Sequence, residues 1–370
     1  MLYKQLGKTG KDISCIGAGG MRFKDTDDIE KSAEILSYAH SKGINYFDTA
    51  PGYCNNKSEK IVACAISELK REEYYVASKS MAKEPGEFRR SLENSLKKLN
   101  IEKLDFFYIW YICSLEDWEN RKRTGIIDAV IKAKEEGLID NIAVSTHMNG
   151  EEIRQLLNDD VAEIILLGYN ILNFPYREDG VCTAAKKDVG IITMNPLSGG
   201  IIPQNPDMLN FIRQDTDNSV VEAALRFNIS NPSISCALVG FSSKSEVDEA
   251  VRAVEQFTPY KKTHIESIKK QISTNFHGLC TACGYCMPCP HGVEIVKLMD
   301  TYNQKILQKN SGENIKAVMK NRLLYHWDNL PPENALKCTQ CGKCEKICTQ
   351  KLPIIKRLEL LGELSDHESN

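Results

Sequence analysis

From Ile13 to about Gln256 this 370-residue chain repeats one unit: a short apolar run, a turn, then an amphipathic helical stretch. That alternation is the mark of parallel β-strands joined by helical crossovers. The runs that read as strands are residues 14–17, 44–49, 74–78, 106–111, 142–145, 164–169, 191–194 and 237–240. Helical periodicity fills the gaps, as in 29–42, 59–69, 85–99, 126–136 and 219–229. Eight strands in regular alternation argue for an α/β chain closed into a (β/α)8 TIM barrel, which takes about 250 residues, over an open sheet. No G-x-G-x-x-G follows a strand, so a Rossmann domain lacks its best support. The GKT at Gly7–Thr9 has neither the upstream glycine nor the preceding strand of a P-loop and reads as a hairpin turn.

Beyond the barrel pattern the chain changes character, which divides it at residues 1–260 and 261–370. A polar helix over 261–273 leads to Cys280, Cys283, Cys286 and Cys289 in C-x2-C-x2-C-x2-C spacing, closed by Pro290. Helical stretches near 293–309 and 313–327 and the pair Pro331 and Pro332 precede Cys338, Cys341, Cys344 and Cys348, which run C-x2-C-x2-C-x3-C. Thiolates three residues apart face one side of a tight loop, and four can close a shell around a cluster or a metal ion. In two-cluster ferredoxins the fourth cysteine of each run serves the other cluster. The expected sets are therefore Cys280, Cys283 and Cys286 with Cys348, and Cys338, Cys341 and Cys344 with Cys289, holding two 4Fe-4S clusters in a mainly α-helical ferredoxin-like domain. Paired four-cysteine zinc sites and structural disulfides are the rival readings. Zinc needs only paired C-x2-C hooks, and disulfides suit secreted chains, which this one does not resemble. The acidic tail SDHESN is expected to fray.

A net charge of −3 leaves no basic footprint, so nucleic acid is not an expected partner. The opening MLYKQLGKTGKD is polar, and no apolar run approaches the ~20 residues that span a bilayer. No membrane partner and a cytoplasmic location are expected. Six further cysteines, Cys15, Cys54, Cys64, Cys113, Cys182 and Cys236, read as reduced, small core residues, with Cys54 set apart by its neighbours.

Chemistry in (β/α)8 proteins sits at the carboxyl ends of the strands. Asp48 closes the second run in NYFDTA, Tyr53 follows in PGYC, and Lys79 closes the third in YYVASKS. A buried ammonium beside a tyrosine favours phenolate and brings the phenol below its ordinary value of about 10, while a carboxylate holds the ammonium. The tyrosine then becomes a usable proton donor for a carbonyl oxygen that gains charge as hydride reaches its carbon. Each residue alone has an ordinary reading, as turn cap, surface tyrosine or solvated lysine. The three in this order do not.

These motifs resemble the aldo/keto reductase family along the whole barrel. The resemblance runs through LGKTG followed by GAGGM with Gly20 and Met21, DTAPGYCNNKSE, ASKS, AVSTH, GYN at 168–170, MNPLSGG at 194–200 and LVGFSSKSEVDEA at 238–250. CTACGYCMPCP and CTQCGKCEKIC resemble the branch with a C-terminal ferredoxin-type 4Fe-4S domain. The resemblance implies Tyr53 as general acid tuned by Lys79 and Asp48, and NADPH or NADH as cofactor. Ser145 would bond the nicotinamide amide and Met194 would lie against its ring. Pro196, Leu197 and Gly199 would hold the pyrophosphate, Gly240 and Ser242 the adenosine side, and Glu249 the adenine. The chain departs from the family at four places. Trp110 stands where the family has a catalytic histidine, and an indole donates one hydrogen bond but carries no titrating proton. Leu166 replaces a glutamine, and Cys54 a glycine. Glu246 stands where NADPH-preferring members place an arginine, which tilts the reading towards NADH.

Two functions follow. One is an NAD(P)H-dependent oxidoreductase acting on a small carbonyl or enone, its pocket lined by the loops 55–57 and 113–124. The other is an electron-transfer iron-sulfur protein that has lost ordinary carbonyl reduction and works with a redox partner protein or a flavin. In either, the clusters carry electrons or staple a small domain.

Overall fold

The computed structural model describes residues 1–255, 257–275, 278–309, 312 and 314–364. By contacts the chain forms two compact units, residues 1–197 with 212–261, and residues 198–211 with 262–370.

The first unit opens with an antiparallel hairpin of β1 (Tyr3–Gln5) and β2 (Asp12–Ser14), turned through Gly7–Thr9. Eight parallel strands follow: β3 (Ile16–Gly19), β4 (Tyr46–Asp48), β5 (Tyr75–Ser80), β6 (Leu104–Ile112), β7 (Ile139–Thr146), β8 (Ile164–Gly168), β9 (Gly190–Met194) and β10 (Cys236–Gly240). They pair in chain order and close through β10 and β3 into a barrel. The crossovers carry α1 (Ile29–Ser41), α2 (Ser58–Ile66), α3 (Pro85–Leu99), α4 (Leu115–Arg123), α5 (Ile126–Glu135), α6 (Gly150–Leu157), α7 (Glu178–Lys186), α8 (Ile201–Gln204) and α9 (Val220–Ser230), and α10 (Lys244–Glu255) follows β10. Asp28, Ser114, Asn149 and Ser219 cap α1, α4, α6 and α9 by accepting from backbone N–H groups.

Strand alternation builds the interior. Tyr46, Phe106 and Tyr108 point inward with Ala77, Ala143, Ile164, Leu166 and Ile192, while Leu6 and Ile13 of the hairpin complete the same cluster. Their outward neighbours pack on the helical ring, Phe107 meeting Phe88 edge-on at 5.4 Å. All nine residues of β6 are buried, as a strand covered on both faces requires.

The second unit comprises residues 198–211, which include α8, and α11 (Lys262–Asn275), α12 (Ile295–Leu307), α13 (Ile315–Asn321), α14 (Lys343–Ile347) and α15 (Ile354–Gly362). Leu298, Met299, Leu323, Ile354, Leu358 and Leu361 form the heart of its core, with Cys280, Cys286, Cys289, Cys338, Cys344 and Cys348 packed around it.

Several elements differ from the sequence reading. The first barrel strand begins at Ile16, because Asp12–Ser14 pair with β1. Residues 113–124, read as a loop, contain α4. The helix read over 313–327 is α13 followed by a π-turn at Arg322–His326, where Arg322 and Trp327 both donate to Asp300. Residues 198–211, read as part of a 1–260 barrel, group with the cysteine-bearing unit. Cys64 and Cys182 are exposed, on the outer faces of α2 and α7, whereas Cys15 and Cys236 are buried. Glu313 and the tail SDHESN lie outside the described residues. Among those described, no helix is long and apolar enough to cross a membrane.

One buried polar cluster ties the end of the first unit to α9. Arg226 pairs with Asp217 at 2.8 Å with both side chains at 0 % exposure, and Tyr260 donates to the other Asp217 oxygen at 2.9 Å. Removing one partner of such a pair leaves an uncompensated buried charge. Arg226→Met is expected to lower stability by about 3–5 kcal/mol in denaturant unfolding.

Candidate functional site

Asp48 ends β4, and Lys79 is the penultimate residue of β5 beside it. The two side chains are in direct ionic contact at 2 % and 1 % exposure. Lys79 Nζ also donates to the Thr49 carbonyl at 2.9 Å, and the second Asp48 oxygen accepts from Tyr46 OH at 3.0 Å. Tyr46 and Tyr108 share a hydroxyl contact at 3.0 Å, so the carboxylate has a phenolic outer layer. Burial pushes the Asp48 carboxyl up and the Lys79 ammonium down, and their mutual attraction opposes both shifts. Lys79 Nζ lies 5.4 Å from the ring centre of half-buried Tyr53 and 5.1 Å from that of Tyr108. Tyr53 in turn meets Trp110 edge-on, with ring centres 5.4 Å apart at 88°. Asp48, Tyr53, Lys79 and Trp110 thus converge on one barrel mouth.

Local backbone devices make that convergence possible. Cys54, Asn55 and Asn56 follow Tyr53 with φ of 50°, 54° and 66°, a left-handed run that asparagine tolerates better than most residues. Asn56 Oδ1 accepts from Gly52 N at 2.9 Å and closes the turn. The Cys54 thiol donates to the Gly20 carbonyl at 3.5 Å, and burial pushes it up, which keeps it a protonated packing group. Trp110 is aimed by a β-bulge. The β6–β7 register passes from Ile109 opposite Val144 to Ile112 opposite Thr146, three residues against two, and Tyr111 takes φ of 71°. The Tyr111 ring packs against buried His147 at 5.7 Å.

Residues read as cofactor contacts lie on the same ends of neighbouring strands. Ser145, at the end of β7, is opposite Leu166, and its buried Oγ has no hydrogen-bond partner among the described residues. Met194 ends β9 half-buried, followed by buried Pro196 and half-buried Leu197. Met21 is exposed, and Gly20 sits so close to Ser58 that an added Cβ would fall 2.4 Å from its hydroxyl. A Cβ on Gly240, at the end of β10, would fall 2.6 Å from the Arg22 side chain. Ser242 N and Oγ both donate to the exposed Glu246 carboxylate, at 2.7 and 2.9 Å. Glu249 accepts from Ser219 Oγ at 2.8 Å. Gly199 belongs to the second unit, where φ of 69° and a Thr281 carbonyl 1.8 Å from any Cβ give it a packing reason to be glycine. The orphaned Ser145 hydroxyl suits a polar group of a bound dinucleotide.

In the second unit thiols from both runs lie close to one another. Cys286, Cys289, Cys338, Cys341 and Cys344 all line a cavity of about 240 Å³. Cys280 has Cys283, Cys286 and Cys348 as its thiol neighbours. Burial pushes Cys280 and Cys286 up to about 12 and Cys344 to about 11, so a cation is needed to hold them as thiolates. Asn303 clamps the Cys280 peptide through both its N–H and its carbonyl at 2.9 Å. Among the described residues no three Cys, His, Asp or Glu groups converge on a single-ion site. A volume lined by five thiols offers the donor set of a cubane.

Tyr46, Tyr108, Glu59 and Arg22 were not singled out from sequence. Tyr46 and Tyr108 sit two residues before Asp48 and Trp110, the strand period that places them on the same inward face. Glu59, 1 % exposed, accepts from Ser78 and Lys98 and adds negative charge near Lys79.

Residues 15–272 match the aldo/keto reductase family model, and residues 279–354 match the 4Fe-4S dicluster domain. The chain belongs to the aldo/keto reductase family, in a branch that carries a C-terminal 4Fe-4S domain, and so stands among oxidoreductases of small carbonyl compounds. It is similar to L-galactose dehydrogenase of Arabidopsis thaliana, with 27 % identity over 68 % of this chain and 88 % of that protein. Its fold is similar to that of an aldo-keto reductase of Bacillus halodurans in its holo form, with a TM-score of 0.64 and 23 % identity over 73 % of this chain and 96 % of that one. An aldo-keto reductase of Klebsiella pneumoniae in complex with NADPH superposes with a TM-score of 0.62 and 18 % identity over 74 % of this chain and 96 % of that one.

The Lys79–Asp48 pair generates a stability prediction. Lys79→Met leaves a buried carboxylate with only Tyr46 as donor and should cost about 3–5 kcal/mol in denaturant unfolding. Adding Asp48→Asn should recover part of that loss, and equal stability of the single and double variants would speak against the ion pair.

Proposed function

We propose that this protein is a nicotinamide-dependent reductase of a small carbonyl or enone compound, with Tyr53 as proton donor. The observation that carries the reading is the meeting of the Tyr53 ring, the Lys79 ammonium and the Asp48 carboxylate at one barrel mouth, with Ser145 Oγ buried and unpartnered on a nearby strand. A bound nicotinamide would supply two electrons as hydride to the carbonyl carbon. Tyr53 donates its hydroxyl proton to the carbonyl oxygen, and the adjacent ammonium stabilises the phenolate left behind. Asp48 fixes the ammonium and is itself held by Tyr46. Trp110 walls the space beside Tyr53 and offers an indole N–H to orient the substrate, without a titrating proton. Ser145 would hold the nicotinamide amide and Met194 would lie against its ring. Pro196, Leu197, Gly20, Met21, Gly240 and Glu249 contribute to the dinucleotide site. Glu246, already bonded to Ser242, would repel a 2′-phosphate, which favours NADH.

The crossed thiol groups support two 4Fe-4S clusters, one on Cys280, Cys283, Cys286 and Cys348 and one on Cys289, Cys338, Cys341 and Cys344. Each would accept or release one electron when bound. Metal analysis of anaerobically prepared protein should return about eight iron and eight sulfide per chain. Zinc without sulfide would rule the clusters out.

The central test is Tyr53→Phe. It should lower turnover of a small α-ketoaldehyde by roughly 10² to 10⁴ with iron content and dinucleotide affinity retained. Unchanged turnover removes Tyr53 from the mechanism. Trp110 in the histidine position favours a second reading, an electron-transfer protein, which would appear as cluster reduction by a partner without any carbonyl turnover.

A further inference from the structure

Arg357 lies on α15, nine residues beyond Cys348, and its side chain is buried at 7 % exposure. A buried guanidinium ordinarily has a carboxylate or several carbonyl oxygens to satisfy its five N–H groups. Arg357 has a different set of neighbours. Its guanidinium stacks on the Tyr302 ring with 4.6 Å to the centroid, and Nη2 packs against Gly278, where a Cβ would fall 2.8 Å away. Nη1 is buried with no hydrogen-bond partner among the described residues. The titratable groups that face it are the Tyr302 phenol and the thiols of Cys280 and Cys348, which neighbour each other although they come from different runs.

Two buried hydroxyls flank the same thiols. Thr281, next to Cys280, has an Oγ1 that is buried with no partner among the described residues. Thr349, next to Cys348 and 1 % exposed, places its Oγ1 3.5 Å from Cys283 Sγ. The other thiol group lacks such a setting: Cys341 and Thr339 are exposed, and the cation lining its cavity, Lys343, is a solvated one. A 2+ cubane on four thiolates carries a net charge of about −2, which becomes about −3 on reduction. Burial opposes that added charge, while a nearby fixed cation and donors aimed at sulfur favour it.

We propose that Arg357 is the built-in counter-cation of the cluster held by Cys280, Cys283, Cys286 and Cys348, raising that cluster's reduction potential and setting it apart from the cluster held by Cys289, Cys338, Cys341 and Cys344. The inference rests on the two-cluster reading of the cysteines. Arg357 touches no substrate. It is a positioning residue whose effect is read in a potential.

The test is a redox titration of the anaerobic, fully loaded protein, with reduced clusters followed by electron paramagnetic resonance, for the wild type, Arg357→Gln, Arg357→Lys and Thr349→Val. Arg357→Gln should move one of two one-electron couples downward by about tenfold in its reduced-to-oxidised ratio at fixed potential, or about 59 mV, and leave the other in place. Thr349→Val should move the same couple in the same direction by less, and Arg357→Lys, which keeps the charge, should stay near the wild type. Two couples unmoved in Arg357→Gln, or both moved equally, overturn the proposal. Loss of about half the iron in Arg357→Gln also overturns it, by making the residue a structural counter-ion. Wild-type protein without two iron-sulfur couples is a separate result that removes the two-cluster reading itself.

Discussion

The barrel mouth depends on an ammonium and a carboxylate held together out of water. Desolvating Lys79 and Asp48 costs several kcal/mol per ion, which their attraction offsets only if the remaining hydrogen-bonding capacity is filled. The Thr49 carbonyl and the Tyr46 hydroxyl fill it. Those partners become available because β4, β5 and β6 are adjacent in a closed barrel, so the network is a product of the fold. An apolar pair of similar volume would pack as well. What it would not do is place a fixed positive charge 5.4 Å from the centre of the Tyr53 ring.

That charge gives the other features of the mouth a common logic. The left-handed turn through Cys54, Asn55 and Asn56 presents Tyr53, and the bulge at Trp110 and Tyr111 brings an indole edge against the phenol. Both are backbone irregularities at the carboxyl ends of strands, where a barrel can accept strain without breaking its ladder. The second unit solves a different problem. Its apolar core is small and ringed by cysteines, so metal binding and folding are expected to be coupled there.

Sequence periodicity carried the barrel, because each strand-to-helix switch is a local signal, and strand ends then pointed to Asp48 and Lys79. The two cysteine runs were equally legible, since spacing alone counts candidate ligands. Tyr46 and Tyr108 were hidden, because an inward aromatic in a buried strand looks the same whether it fills space or bonds a carboxylate. The bulge was hidden as well: DFFYIWYI gives no sign that Tyr111 takes positive φ, which reflects its pairing with β7. Residues 198–211 look like any barrel loop, and only the close approach of Gly199 to the Thr281 carbonyl reveals their attachment to the cysteine-bearing unit. Arg357 reads as an ordinary helical arginine until its burial and its unpartnered Nη1 among the described residues set it apart.

In the proposed function the barrel performs two-electron carbonyl chemistry of its own. The most direct measurement is an anaerobic single turnover with nicotinamide dinucleotide deuterated at its transferable position, recording cofactor oxidation and cluster absorbance in the same trace. A primary isotope effect on cofactor oxidation, deuterium recovered on the product carbon and clusters that keep their colour are the predicted result. Cluster bleaching in step with cofactor oxidation, with no deuterium in the product, would contradict it.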